Sequence, residues 1–139
     1  MVLAATNRPQ DLDEALRRRL EKRVYIPLPT PEGRKKMLDI NMKGLEVEND
    51  IDWSYIVKMT EGFSGADMSN ICREAAMMPL RRRLKSSGID VDRIEELKKE
   101  IDVPVSMQDF KQALKNTQKS VSQANLEFYA NWMKQFGSV

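Results

Sequence analysis

Three prolines within five residues, Pro27, Pro29 and Pro31, divide this chain into two kinds of pattern. Ahead of them the apolar residues come in short strand-like runs, and from Thr30 on they recur at helical spacing. Proline brings no N–H to a sheet ladder, so strand pairing has to stop there. Thr30 followed by Pro31 is a strong helix start, a capping hydroxyl before a ring whose φ suits the first turn. The result is a mostly α fold with a small strand-bearing segment in front of it.

In the front segment, Val2 to Thr6 is a continuous apolar run, the pattern of a strand buried on both faces, and Asn7-Arg8-Pro9 ends it. Asp13 caps a short helix from Glu14 to Leu20, with Arg17, Arg18 and Arg19 in its last turn. Arg23 to Leu28 then alternates with period two, a second strand closed by Pro27 and Pro29. Two strands and one short helix are too few for a sheet domain and read as the edge of something larger.

Behind the prolines, Met37, Leu38, Asn41, Met42 and Leu45 line one helical face. Asp52 opens a helix with Trp53, Ile56 and Val57 on one side, and Gly62 stops it. Ser64-Gly65-Ala66-Asp67 has the form of a capping box and leads a longer helix through Met68, Ile71, Cys72 and Ala75. Pro79 inside that pattern predicts a kink or break near Ala75 to Met78. Ser86 to Val105 is polar, broken by Gly88 and Pro104, with a short helix expected over Ile94 to Ile101. Ser106 with Asp109 is a second capping box, for a helix with Phe110, Ala113 and Leu114 inward. Ser122 caps a last helix striped by Leu126, Tyr129, Met133 and Phe136, which ends at Gly137.

Composition excludes several functions. The 139 residues suffice for one compact domain. With 23 Lys+Arg against 21 Asp+Glu the formal charge is only +2, so no general attraction to nucleic acid or anionic membrane is implied. Cys72 stands alone and histidine is absent, which excludes an internal disulfide and a Cys/His zinc site, and no metal site is expected. No apolar run approaches the ~20 residues of a membrane span, and no secretion signal is visible.

Four groups of residues invite a chemical reading. Asn7 lies just past a buried strand, where open α/β sheets place ligand-contacting groups, and it also suits a plain turn before Pro9. Arg17-Arg18-Arg19 point about 100° apart on a helix, so at least one faces outward, where a planar, permanent cation suits a neighbour's phosphate. Cations that complement a helix C-terminus are the alternative. Arg81-Arg82-Arg83 reads as a solvated helix face. Gly65-Ala66 exposes backbone N–H groups at a helix start, for a ligand or for packing alone. Met37, Met42, Met68, Met77 and Met78 read as core filling.

Three stretches carry a family resemblance across nearly the whole chain. ATNRPQDLDEALRRRLEKRVYIPLP, from Ala5 to Pro29, resembles the second half of the second region of homology in AAA ATPases. GFSGADMSNICREAA, from Gly62 to Ala76, resembles the signature of their small helical lid. KSVSQANLEFYANWMKQFGS, from Lys119 to Ser138, resembles the C-terminal segment of the meiotic-clade microtubule-severing enzymes, with the arginine region spelled most like the katanin catalytic subunit. Spastin and fidgetin share the tail but differ around the arginines. The related ESCRT-disassembly ATPases carry an extra β element for which Gly88 to Pro104 is too short.

The resemblance implies a lid over residues 30–118 and a remnant of the large α/β subdomain over 1–29. It also implies a helix over 119–139 that returns, through Tyr129 and Trp132, to the large subdomain. Asn7 matches sensor 1, and Arg18 and Arg19 match the paired arginine fingers that reach a neighbour's ATP, although the glycine and phenylalanine usual around the second arginine are replaced here. Gly65 and Ala66 match lid residues against the nucleotide, and Met37 and Asn41 match residues bordering the adenine. An alanine stands where many relatives carry a sensor-2 arginine. By resemblance the intact enzyme is a hexamer that uses ATP with Mg2+ and acts on tubulin in microtubules, in the cytoplasm and on the cytoskeleton or spindle. A regulatory subunit is the further partner it implies. No GxxxxGK[ST] phosphate loop and no apolar strand ending in Asp-Glu occur in the sequence. The chain therefore reads as the final part of a severing ATPase, inactive alone and holding no nucleotide tightly. A spastin- or fidgetin-type or other meiotic-clade ATPase, a non-enzymatic helical interaction module and the lid of a DNA-acting AAA protein are the competing readings.

Overall fold

The computed structural model describes residues 2–87 and 103–138. The chain divides into two compact units, one formed by residues up to Pro27 together with those from Ser122 on, the other by Leu28–Val121.

The second unit is a helical bundle of α2 (Pro31–Asn41), α3 (Trp53–Met59), α4 (Gly65–Ser87) and α5 (Met107–Asn116). Each of these helices starts at a side chain that takes up an orphan N–H. Thr30 Oγ1 accepts from Gly33 N at 3.2 Å, and Asp52 Oδ1 accepts from Tyr55 N at 2.9 Å. Ser64 with Asp67, and Ser106 with Asp109, form reciprocal capping boxes. After α3 the chain reverses at Gly62, whose φ of +79° is open to glycine at little cost. Helix α4 packs on α2 and α5, and α2 on α3. Between them lies a core that includes Leu38, Ile56, Met68, Ile71, Phe110 and Ala113, with the Trp53 ring edge-on to Phe110.

Several expectations change. Helix α4 continues through Pro79 without a break, although proline removes one helical hydrogen bond. Pro79 is itself buried, and Met68, Ile71, Cys72 and Ala75 are fixed in the core on the turns before it, so packing overrides the local preference. Met42 and Met68 are core residues and Met37 packs on the core, but Met77 is 40% exposed. Asn41 and Leu45 face solvent. The arginine run after Pro79 is not simply solvated: Arg82 Nη1 donates to the buried Asp109 at 2.6 Å, and Arg81 pairs with Glu74. Arg34, which carries no signal in the sequence, is buried, donating to the carbonyls of Pro29 and Val57. The helix expected over Ile94 to Ile101 lies outside the described residues.

The first unit holds a one-turn 3-10 helix (Pro9–Asp11), α1 (Glu14–Arg19) and α6 (Gln123–Phe136). Asp13 caps α1, accepting from Leu16 N at 2.7 Å, and Ser122 caps α6, accepting from Asn125 N at 3.2 Å. The strands expected over Val2–Thr6 and Arg23–Leu28 do not form. Among the described residues the β pairing is a single parallel bridge, Val47 with Val105, in the other unit. A strand is completed by the N–H and C=O groups of a neighbouring strand, and among the described residues neither segment lies beside one; Leu3 is 89% and Ile26 86% exposed. Neither α1 nor α6 buries a residue. Aromatic contacts take the place of a core: Tyr25 with Tyr129 at 6.2 Å between centroids, Phe128 with Tyr129 at 5.6 Å, and Trp132 with Phe136 at 5.3 Å. Ser138 closes the unit, exchanging backbone and hydroxyl hydrogen bonds with Arg23.

Candidate functional site

The residues singled out in the sequence fall into both units. In the first, Asp13 starts α1 so that Arg17, Arg18 and Arg19 occupy its last turn, where cations complement the helix C-terminus. The three then diverge, as successive helical residues must. Arg17 turns inward and lays its guanidinium over the Phe136 ring of α6, 4.9 Å from the centroid. Arg18 and Arg19 face solvent. The Arg18 side chain is 79% exposed and paired with Glu14 at 2.6 Å. Glu14, Arg17, Arg18, Glu21, Arg23 and Phe136 line an open groove of about 330 Å3. Within it, the Nε atoms of Arg17 and Arg23 are buried without a hydrogen-bond partner.

Asn7 is exposed, one residue before the ion pair of Arg8 with Asp11. Its carbonyl accepts a 2.8 Å hydrogen bond from the Tyr129 hydroxyl, a contact across 122 positions that nothing local in the sequence announces.

In the second unit, α2 and α4 bring Met37 and Gly65 together. A Cβ built at Gly65 would meet Met37 Cε at 3.5 Å, an ordinary contact, so packing inside the unit does not demand glycine there. Ala66 is exposed beside it at the helix start. Asn41, one turn beyond Met37, spends its amide on the Met37 carbonyl at 2.7 Å. The start of α4 is held firmly. Buried Asp67 accepts from Ser64 N and from both the N–H and the hydroxyl of Ser120. Burial pushes the Asp67 carboxyl upward, but these hydrogen bonds outweigh it and hold the group below the usual carboxylate range. The capping box made Asp67 visible in the sequence, whereas its bonds to Ser120 were not. Cys72 is buried in the core, and desolvation pushes its thiol up to about 11, which leaves it inert.

No group of side chains among the described residues could hold a metal ion, and no helix is long and apolar enough to cross a membrane. What the arrangement offers is exposed, permanently charged guanidinium at a capped helix end, and a glycine-started helix with an exposed alanine and Met37 beside it.

Comparison with known proteins finds two domain models that match parts of the chain. Residues 50–96 match the AAA+ lid domain, and residues 88–137 match the Vps4 C terminal oligomerisation domain. The chain thus carries an AAA+ lid match and a Vps4-type oligomerisation match, and it resembles the AAA ATPases in which these domains are found. Among these its likeness is to katanin. It is 54% identical over 140 residues to the A-like 1 form of the katanin p60 ATPase-containing subunit from Danio rerio, and 53% identical over 139 residues to that from Homo sapiens. All of this chain is covered in the first comparison and 99% in the second, but it spans only 28% of the length of either relative. Among solved structures, the FIGL-1 AAA domain superposes with a TM-score of 0.79 at 40% identity, over 96% of this chain and 43% of that one. A katanin structure described for its self-assembly gives 0.77 at 38% identity, over 91% and 44%.

Proposed function

We propose that this chain supplies the lid, the sensing asparagine and the trans-acting arginines of a katanin-type ATPase hexamer that severs microtubules. The reading rests on the split within Arg17-Arg18-Arg19. Arg17 is engaged with Phe136, while Arg18 and Arg19 leave the same helix end toward solvent. Two exposed guanidinium groups on a capped helix suit the γ-phosphate of an ATP held by the next protomer, where they would neutralise charge that builds up during phosphoryl transfer. Asn7 would orient the attacking water. Gly65 and Ala66 would lie against the nucleotide, with Met37 and Asn41 bordering the adenine. A FIGL-1 AAA domain structure holds ADP, which supports a nucleotide role for the lid. Hydrolysis of ATP would drive the work, and Mg2+ would be held by other segments of the intact enzyme.

In this reading residues 1–29 belong to the large α/β subdomain, 30–118 are the lid, and 119–139 return to the large subdomain. The exposed apolar residues Val2, Leu3, Val24 and Ile26 support it, since they are what a sheet would cover. Tubulin would be the substrate, with action in the cytoplasm on the cytoskeleton or spindle, and a regulatory subunit could join the assembly. A non-enzymatic helical module leaves the exposed Arg18 and Arg19 without a task.

In the intact enzyme, Arg18→Ala with Arg19→Ala is expected to lower kcat by about 10³-fold or more while nucleotide still binds. Unchanged turnover would refute the finger assignment. The 139-residue chain alone is expected to show no ATP turnover. Turnover that the same double substitution abolishes would overturn its reading as a contributor to a larger site. Removing residues from Ser122 on is expected to reduce hexamer mass by light scattering, and an unchanged mass would remove that role from α6.

A further inference from the structure

The peptide unit between Asn7 and Arg8 is bonded at both of its polar ends. Its carbonyl oxygen, on Asn7, accepts from the Tyr129 hydroxyl at 2.8 Å. Its N–H, on Arg8, donates to Thr6 Oγ1 at 3.0 Å. A peptide plane has little freedom left once both groups are taken, because the bond itself is planar and only the flanking φ and ψ can turn it. On the far side, Pro9 fixes its own φ, and Arg8 is tied to Asp11 at 2.7 Å. The phenol that holds the carbonyl is itself held: Tyr129 is half-buried between the rings of Tyr25 and Phe128. An exposed turn is thus ordered from a distant helix, α6.

From this geometry we infer that Tyr129 is a positioning residue for Asn7. Its hydroxyl and that of Thr6 clamp the Asn7–Arg8 peptide, which fixes the Asn7 backbone and so the direction in which the Asn7 amide is presented. The inference rests on the reading of Asn7 as the water-orienting group. It adds that α6 is part of the hydrolytic apparatus through one hydroxyl, in addition to any part it takes in assembly. Arg17 over Phe136, seven residues and about two helical turns further along α6, ties the arginine helix to the same element.

Tyr129→Phe removes the hydroxyl and keeps the ring contacts. In this chain, NMR should show the Asn7 carbonyl resonance shifted and Arg8 amide exchange faster, by about tenfold, the size of one net hydrogen bond. If neither changes, the clamp does not exist. In the intact enzyme, Tyr129→Phe should lower kcat by a similar factor of about ten, with KM for ATP and hexamer mass unchanged. In an Asn7→Ala background it should cost nothing further, since the group it aims is gone. Loss of assembly or a risen KM in parallel with kcat would make Tyr129 merely structural and overturn the proposal. Full turnover in Tyr129→Phe beside a dead Asn7→Ala would overturn it while sparing the reading of Asn7. Full turnover in Asn7→Ala would instead refute that reading and, with it, the positioning role.

Discussion

Residues Leu28–Val121 and the unit made of the two chain ends are both helical and both start their α-helices at side-chain caps, yet they are stabilised differently. Every buried apolar side chain of the core, from Leu38 to Ala113, belongs to Leu28–Val121. The other unit buries nothing on α1 or α6 and is held by ring contacts, by one guanidinium on Phe136, and by hydrogen bonds from Tyr129 and Ser138. Burial of apolar area is the main favourable term in folding, and polar contacts at the surface add little each. The unit Leu28–Val121 has the ingredients to stand by itself. The end unit has its reactive-looking groups, Asn7, Arg18 and Arg19, on a scaffold that further contacts would have to complete.

That contrast is open to attack. The largest effect is expected from Phe110→Ala at the centre of the bundle, a loss of about 3–5 kcal/mol in urea unfolding. Phe128→Ala in the end unit, already 40% exposed, should cost well under half of that. Comparable losses at the two sites would erase the distinction.

Next in size is Asp67, whose carboxylate carries the α4 start and the Ser120 segment. Asp67→Ala is expected to cost about 1–3 kcal/mol, since it removes the buried acceptor shared by the Ser64 and Ser120 N–H groups. Its native pKa lies below the ordinary aspartate value of 3.8. Below 3.8 the unfolded chain takes up a proton that the folded lid still refuses, so this contribution is complete above that pH and fades as pH falls through the native value. Acid titration of lid stability by circular dichroism should show a slope there that Asp67→Asn removes. A slope identical in both proteins would show that the carboxylate is not the responsible group.

Cys72 sharpens the comparison kinetically. A thiol pushed from 9.0 to about 11 has roughly a hundredfold less thiolate at neutral pH, before shielding is counted. Modification by a thiol reagent should therefore run at least that much slower than in the urea-unfolded chain. Equal rates would mean a loosely packed lid.

The smallest effect on stability is expected at Gly65. Gly65→Ala meets only an ordinary contact with Met37, so unfolding should shift by about 1 kcal/mol or less. Nucleotide affinity of the intact enzyme should fall clearly, because the Cβ would stand where the nucleotide is proposed to lie. A large stability loss with intact affinity would turn Gly65 into a packing residue.

The helix starts were legible because a cap is a local event: Thr30, Asp52, Ser64, Ser106 and Ser122 each bond an N–H three residues away. The same locality explains why Met68, Ile71 and Ala75 were recognised as one face of α4. It fails at Pro79, where the local rule predicts a break and burial keeps the helix whole. It fails again at Val2–Thr6 and Arg23–Leu28, whose apolar pattern speaks of strands, because a strand exists only through partners elsewhere. Of the candidate site, the sequence puts residues forward by motif alone, and their spatial relations were not legible in it. Which arginine turns inward depends on Phe136, more than a hundred residues away, and Asn7 is held by Tyr129 at similar separation.

The sequence by itself determined the change at Pro27–Pro31 from strand-like to helical pattern, the caps, the core stripes and the family's signatures, all of which reside in neighbouring residues. Only the tertiary structure decided that Arg34 is buried on two carbonyls, that Arg82 closes on Asp109, that Arg17 and not Arg18 or Arg19 packs inward, and that Tyr129 holds the Asn7 peptide. Each of those depends on groups that the chain brings together only by folding, where distance in space and exclusion of water, not order along the backbone, set the energy.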